Sequence, residues 1–382
     1  MRYHTIVVGL GAMGSAAAWQ LARAGHAVLG LERFGPAHTQ GSSHGHSRII
    51  RQAYMEGTQY VPLILRAYTL WHELAAAYPD DDLLTITGGI TIGAPDSAMI
   101  AGVTRSALAY GLEHEALDAA EVRRRFPPLQ VPDGHLALYE PRAGVLRPEA
   151  CIRAHLHGAA RAGATLQFHE TVTRWHADGH GVTVVSDRGT YQAERLIIAP
   201  GAWAPQLLAD LQIPFRVERQ ILFWFDPVGG SAAFAPGRFP IYIWEVDDQT
   251  AFYGFPAQAG PPGGVKIAFH TGGTPCDPDS IRRDVAADEV EAMRAAVRQR
   301  IPAIDGPLLA SATCMYTRTP DDHFVIGLHP HHPNVVVASP CSGHGFKFSS
   351  VIGEIAAQLA VTGQTGLPIA FFAPSRVAQV SA

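Results

Sequence analysis

The run Thr5-Ile6-Val7-Val8-Gly9-Leu10-Gly11-Ala12-Met13-Gly14 decides the fold at the N-terminal end: four apolar or β-branched residues, then G-x-G-x-x-G. Ser15 to Ala24 continues as an Ala-rich stretch closed by Gly25. The pattern predicts a short buried strand, a tight turn and a helix. The three glycines have separate tasks. Gly9 permits the turn, Gly11 lets backbone approach a pyrophosphate, and Gly14 lets the helix pack on the strand. Amides at the helix N-terminus, around Ala12 and Met13, then face the phosphates. Ala27 to Leu31 is a second apolar strand and ends on Glu32, twenty-one residues after Gly11. A carboxylate there accepts ribose hydroxyls and disfavours a 2′-phosphate. This is a dinucleotide-binding βαβ unit, and by itself it leaves FAD and NAD open.

Composition narrows the class. A chain of 382 residues and 40.9 kDa suits two domains, with a third possible. Hydrophobic residues at 47% against 16% charged fill a core and exclude disorder. Net charge is −5 and no Lys/Arg block occurs, which excludes a phosphate-backbone partner. No apolar run reaches the ~20 residues of a membrane span. Four cysteines without a C-x-x-C pair make neither a disulfide framework nor a structural zinc site, so a reducing compartment is expected. Ile6 to Val8 is too short for a secretory h-region, and Gln379-Val380-Ser381-Ala382 is no peroxisomal address. The expected location is the cytoplasm.

Further along, Pro36–Ser47 reads as a polar Gly/Ser/His loop and Val61–Tyr78 as a helix. Thr85–Ile92 and Ala137–Tyr139 read as strands around a helix at Ser97–Tyr110. Residues 150–162 suit a helix. Gly181–Ser186 and Thr190–Arg195 suit a hairpin, and Leu196–Ala199 a buried strand. Phe215 to Phe269 turns β-rich and aromatic, fitting a separate antiparallel sheet with one face open to a ligand. Residues 281–300 form an amphipathic helix. Asn334–Ala338 is a buried strand, followed by the Ser342–Gly345 turn and a helix through Ala360. The expected fold is α/β, a Rossmann-like domain interleaved with an antiparallel-sheet domain.

Two later strings carry chemistry: Ser311 to Asp321, with Cys314 in its middle, and Ser342-Gly343-His344-Gly345-Phe346-Lys347. The second is another Gly turn where backbone amides can meet an anion, and Phe346 and Phe348 argue that Lys347 is buried. Together with Gly41-Ser42-Ser43-His44-Gly45, Arg48-Ile49-Ile50-Arg51, Tyr60-Val61-Pro62-Leu63 and Tyr253-Gly254-Phe255-Pro256, in register over nearly the whole chain, they resemble the family of monomeric sarcosine oxidase and N-methyl-L-tryptophan oxidase.

The resemblance implies a flavin-dependent oxidase of N-methyl amino acids, giving the demethylated amino acid, formaldehyde and H2O2. It implies FAD joined through the Cys314 sulfur to the 8α position. Lys266 matches the lysine where O2 reacts, and His270 an active-site histidine. Arg51 and Lys347 match the pair that holds the substrate carboxylate, and Tyr253 an aromatic pocket residue. Arg48 and His44 match residues beside the flavin ring. Ser42, Ser43, Gly343, Gly345 and Lys347 join Gly9, Gly11, Ala12, Met13, Gly14, Glu32, Arg48 and Cys314 as cofactor-binding positions. A monomer acting on a small amino acid and O2 is expected. The chain divides as 1–85, 145–216 and 311–382 for FAD, and 86–144 and 217–310 for substrate.

Three departures from the family pattern are expected near flavin or substrate: Pro340-Cys341, His46, and the Pro/Gly-rich loop Gln258–Val265. Rival readings keep the fold with another substrate (glycine, proline or pipecolate, a glycated amino acid) or reduce the chain to a non-catalytic redox subunit. His329-Pro330-His331-His332 has no carboxylate or Cys at ligand spacing, so it reads as a surface loop and no metal is expected. Cys151 reads as helix core and Cys276 as loop.

Overall fold

The computed structural model describes residues 3–340 and 342–378. Its first sheet is built around the strand Tyr3–Val8, which pairs in parallel with Val28–Leu31 on one side and Thr190–Ile198 on the other. His332–Ser339 extends the sheet in parallel beyond Thr190–Ile198, and Thr165–Gln167 closes the opposite edge. Val7 stands level with Gly30 and Ile197, and Ile197 with Val336. These strands are buried on both faces, which is why they read as continuous apolar runs.

The helix Ala12–Arg23 crosses this sheet and packs on Pro148–Arg161 and Ser349–Thr362. Small residues make the approach possible. Ala16, Ala17 and Ala18 are wholly buried, and a Cβ at Gly14 would stand 1.7 Å from the Gly9 carbonyl oxygen. Any side chain at Gly14 would push the helix off the strand.

Among the described residues the second sheet has nine strands, the shortest being Thr274–Pro275, which pairs with Arg216–Phe225 at its edge. Arg216–Phe225 is flanked by Val265–Phe269 and by Leu308–Arg318, and the order runs on through Thr250–Gly254, Ile241–Asp247, Gly89–Gly93 and Leu136–Glu140 to Glu115–Asp118. All its pairs are antiparallel except Ile241–Asp247 with Gly89–Gly93. Side-chain alternation sorts its faces. Phe223, Phe225 and Ile267 pack with Met293 and Val297 of the helix Ala287–Val297. Leu222, Trp224, Ala268 and Cys314 cluster on the other face. A small sheet of Arg48–Ile50, Gly144–Leu146 and Leu84–Ile86 fastens the segment that carries Arg48 and Arg51.

Several elements differ from the sequence reading. Thr190–Ile198 is one strand, because its first half pairs with Gly181–Ser186 and its second half with the parallel strands. The helix expected over 281–300 is Ala287–Val297, where the Glu289 carboxylate accepts from the Ala286 amide and sets the N-terminus. Glu115–Asp118 and the helix Ala119–Arg125 were not anticipated. Residues 311–318, grouped by sequence with the FAD segments, are hydrogen-bonded into the second sheet. No helix among the described residues is long and apolar enough to cross a membrane.

Candidate active site

The turn after Val8 begins with Gly9 at φ 85°, and its Leu10 amide donates to Glu32 Oε2 at 2.8 Å. The Phe34 amide donates to Glu32 Oε1 at 2.9 Å, so the buried carboxylate is fixed by backbone at the end of its strand. Gly11 caps the helix Ala12–Arg23 without any side-chain hydrogen bond. The first helical amides are therefore left to an outside acceptor, which is what a pyrophosphate supplies. Gly9, Gly11, Ala12, Met13 and Glu32 all line one cavity. These residues fit a dinucleotide.

The same cavity runs past Ser42, Ser43 and Arg48 to Cys314, Gly343 and Gly345. Arg48 donates to the carbonyls of Ser42 and Ser47, both at 2.8 Å, and its guanidinium lies 3.6 Å from Cys314 Sγ. Cys314 enters from the second sheet, in register with Gln220. The strand carries it there. Cys151 is buried in its helix and Cys276 is half-buried; neither lines the cavity.

Lys266, His44 and Gly14 stand outside the lining. Lys266 is fully buried behind the Gly45–Ser47 backbone, donating to the carbonyls of Gly45 at 2.7 Å and Ser47 at 2.8 Å. Burial, and then the Arg48 charge, push its ammonium well below the usual lysine range. On the opposite side of the same loop, Glu149 accepts from the amides of Gly45 at 2.6 Å and His46 at 3.1 Å. Burial works against that carboxylate, but the amides and Arg48 hold it below its usual range. His44 is pushed down to about 3 by burial and then Arg48, so its ring is neutral.

The far end of the cavity collects charge and aromatic rings. Arg51 and Lys347 both lie over the Tyr54 ring, at 4.6 and 5.2 Å from its centre. Arg51 donates to the Ala53 carbonyl and pairs with Glu56 at 3.3 Å, while its Nε has no partner. Lys347 Nζ donates to the His344 carbonyl at 2.8 Å and approaches the Tyr54 hydroxyl at 3.3 Å. Burial and then Arg51 lower Lys347 to about 7. Glu56 resists the upward push of burial and is held at about 2 by His344, Arg51 and Lys347. Burial puts His270 and His344 near 4. Tyr253 and Tyr316 face His270 edge-on, with ring centres 6.3 and 5.9 Å away.

Arg51, Lys347, Tyr253, His270, Cys314 and Arg48 are thus brought to one cavity from distant segments. The sequence reading missed Glu56, Tyr54 and Glu149. Each is an isolated polar residue in an ordinary local context, and only the fold gives it a partner. Two of the three departures stand outside the cavity lining, although His46 belongs to the Gly45–Ser47 turn that packs against Lys266 and Glu149. His46 is an exposed turn residue at φ 65°, and the Gln258–Val265 loop is absent from the cavity lining. Pro340 does line the cavity, and Cys341 lies outside the described residues.

A Gly-rich turn, an uncapped helix and a ribose-binding carboxylate, opening on a buried charged pocket, define a dinucleotide-dependent oxidoreductase. Residues 4–359 match the FAD dependent oxidoreductase (DAO) family, and the chain belongs to it. It is 51% identical over 381 residues to a monomeric sarcosine oxidase from Streptomyces avermitilis, covering 100% of this chain and 99% of that one. It is 38% identical to an N-methyl-L-tryptophan oxidase from Salmonella enteritidis PT4, covering 99% and 100%. A solved structure of NikD, an unusual amino acid oxidase essential for nikkomycin biosynthesis, superposes with a TM-score of 0.83 at 28% identity, over 98% of this chain and 97% of that one.

Proposed function

We propose that the chain oxidises N-methyl amino acids of the sarcosine or N-methyl-L-tryptophan kind with O2, releasing formaldehyde, the demethylated amino acid and H2O2. The observation that carries this reading is the convergence of Arg51 and Lys347 at the cavity's far end, beside His270, Tyr253 and Tyr316. Two cations against the single Glu56 carboxylate leave one positive charge in a dry pocket for the substrate's carboxylate. The names of the relatives at 51% and 38% identity support the same substrate class.

FAD would be held by Gly9, Gly11, Ala12, Met13 and Glu32 at one end, and by Ser42, Ser43, Arg48, Gly343 and Gly345 at the other. When bound, it supplies two-electron oxidation of the substrate C–N bond and passes the electrons to O2. The protein's own residues do the rest. The free Nε edge of Arg51, with Lys347, takes the carboxylate and fixes the substrate's direction. His270, neutral near pH 7, adds no charge beside the amine, so the amine's uncharged form is tolerated there. Tyr253, Tyr316 and Ile243 exclude water around the reacting carbon. Negative charge developing on O2 beside the loop would favour the ammonium of Lys266 that burial otherwise disfavours, and with Arg48 would be stabilised by it. Cys314 is the attachment point for a covalent flavin, in keeping with its place in the cavity lining and with Arg48 3.6 Å from its sulfur.

We further assign residues 1–85, 145–216 and 311–382 to FAD binding and 86–144 and 217–310 to the substrate side, with a monomer as the working unit. The three described cysteines are all free, which suits the cytoplasm.

A peroxide-coupled screen over N-methyl amino acids of graded side-chain size tests the function. Turnover with an N-methyl amino acid, and little with plain methylamines, is expected. Peroxide from glycine, proline or a glycated amino acid alone would replace the substrate class, and none from any amino acid would remove the oxidase assignment.

A further inference from the structure

The segment His329–His332, expected as a surface loop, is the tight connection between the strands Val325–His329 and His332–Ser339. The His329 side chain is completely covered. Trp175 sets its ring edge against both His329 and His332, with ring centres 5.6 Å away in each case. The missing carboxylate comes from elsewhere in the chain. The turn Ala209–Leu211 brings Asp210 Oδ2 to 2.9 Å from His329 Nε2. One ligand atom from each of Asp210, His329 and His332 lies within 4.8 Å of the other two.

The Asp210 contact is short but poorly aligned for a hydrogen bond from His329 Nε2, which is buried. An N–H donor wants its acceptor nearly in line. An imidazole nitrogen and a carboxylate oxygen that share one ion at about 2.0–2.1 Å stand about 2.9–3.4 Å apart for angles of about 90–110°, with the oxygen well off the ring axis. The off-axis oxygen fits the second arrangement. Two imidazoles and a carboxylate without thiolate suit Zn2+ and its divalent transition-metal neighbours rather than Ca2+ or Mg2+.

We propose that Asp210, His329 and His332 bind one divalent transition-metal ion. Asp210 is 44% exposed, so water reaches the remaining coordination positions. Coordination through Nε2 places the proton on Nδ1. The 3.3 Å contact from the His331 amide to Nδ1 is then released, and His331 sits on the exposed turn where it can move. The ion ties the 209–211 turn, which follows the cavity-lining Gln206 and Leu207, to the β-hairpin that begins the strand His332–Ser339. His332 begins the strand whose last residue, Ser339, lines the cavity, roughly 23 Å further on at ~3.3 Å per residue. None of the three ligands lines the cavity, so the ion's role is to stabilise the fold.

The test is a Co2+ titration of the intact flavoprotein, followed by visible absorption and equilibrium dialysis. We expect one Co2+ per chain. Asp210→Asn and His332→Gln should each weaken that binding at least tenfold. Zn2+ should raise the thermal midpoint of the wild type but of neither variant, with turnover unchanged in all three. Absence of stoichiometric binding, or undiminished binding in either variant, overturns the site and leaves Asp210 and His329 as an ordinary ion pair.

Discussion

The two ends of the cofactor cavity are made of different materials. At the dinucleotide end, the ligating groups are mostly backbone: a glycine turn, the free amides of one helix and a single carboxylate fixed by the amides of Leu10 and Phe34. At the other end they are side chains from four separate regions: Arg51, Tyr253 with His270, Tyr316 and Lys347. A backbone site is specified by local turn chemistry and tolerates no side chain where chain segments touch, as at Gly14. A side-chain site is specified by which strands become neighbours, and its charges can be tuned against one another. On the proposed reading, the first end sets the cofactor class and the second the substrate.

The largest effect separating the ends should come from Cys314, the one side chain assigned to hold the cofactor covalently. Yellow fluorescence should stay with the denatured polypeptide of the wild type and leave it completely in Cys314→Ser. Cys341→Ser should retain it. Free FAD from the denatured wild type would show that the dinucleotide end alone holds the cofactor.

Next in size is Lys266. Removing one preorganised charge at such a site typically costs ~10²–10³ in rate. Lys266→Met should slow flavin reoxidation by O2 by about that factor, and anaerobic reduction by substrate far less. Because Lys266 also clamps the Gly45 and Ser47 carbonyls, stopped-flow measurement of both half-reactions is the deciding observation. Equal slowing would make it a scaffold for the loop rather than an oxygen-activating charge.

A smaller effect concerns pH. Lys347 titrates at about 7 in the free site. Its ammonium is present below that value and lost above it, whereas His270 and His344 near 4 and Glu56 near 2 lie outside the window. An acid that competes with substrate should therefore bind more weakly as pH rises through 7, by at most about tenfold per unit for one proton. Lys347→Met should flatten the profile. A profile that keeps its slope in the variant would assign the titration to another group.

How much of this was legible in the sequence follows the same division. Gly9 to Glu32 can be read directly, because each step of that unit depends on residues a few positions apart. Lys347 was expected to be buried from its flanking phenylalanines, and it is. Arg51 and Cys314 were named only through resemblance to a family. Their meeting depends on sheet register, such as Gln220 opposite Cys314 and Trp224 opposite Lys266, which no local pattern encodes. Glu56, Glu149 and Asp210 show the limit most clearly. Each looks like a solvated carboxylate in sequence, and each gains its meaning from a partner over forty residues away or from a turn that aims it inward.

The central claim is that Arg51 and Lys347 recognise the substrate's carboxylate, and spectral titration with (methylthio)acetate tests it most directly. The acid should perturb the flavin spectrum of the wild type and compete with substrate. Arg51→Ala should weaken it by about 1.5–3 kcal/mol, the range for a hydrogen bond to a charged group. The unpaired charge of Glu56, left without its arginine, works in the same direction. If the acid binds Arg51→Ala as tightly as the wild type, Arg51 does not hold the carboxylate and the amino-acid oxidase reading loses its physical basis.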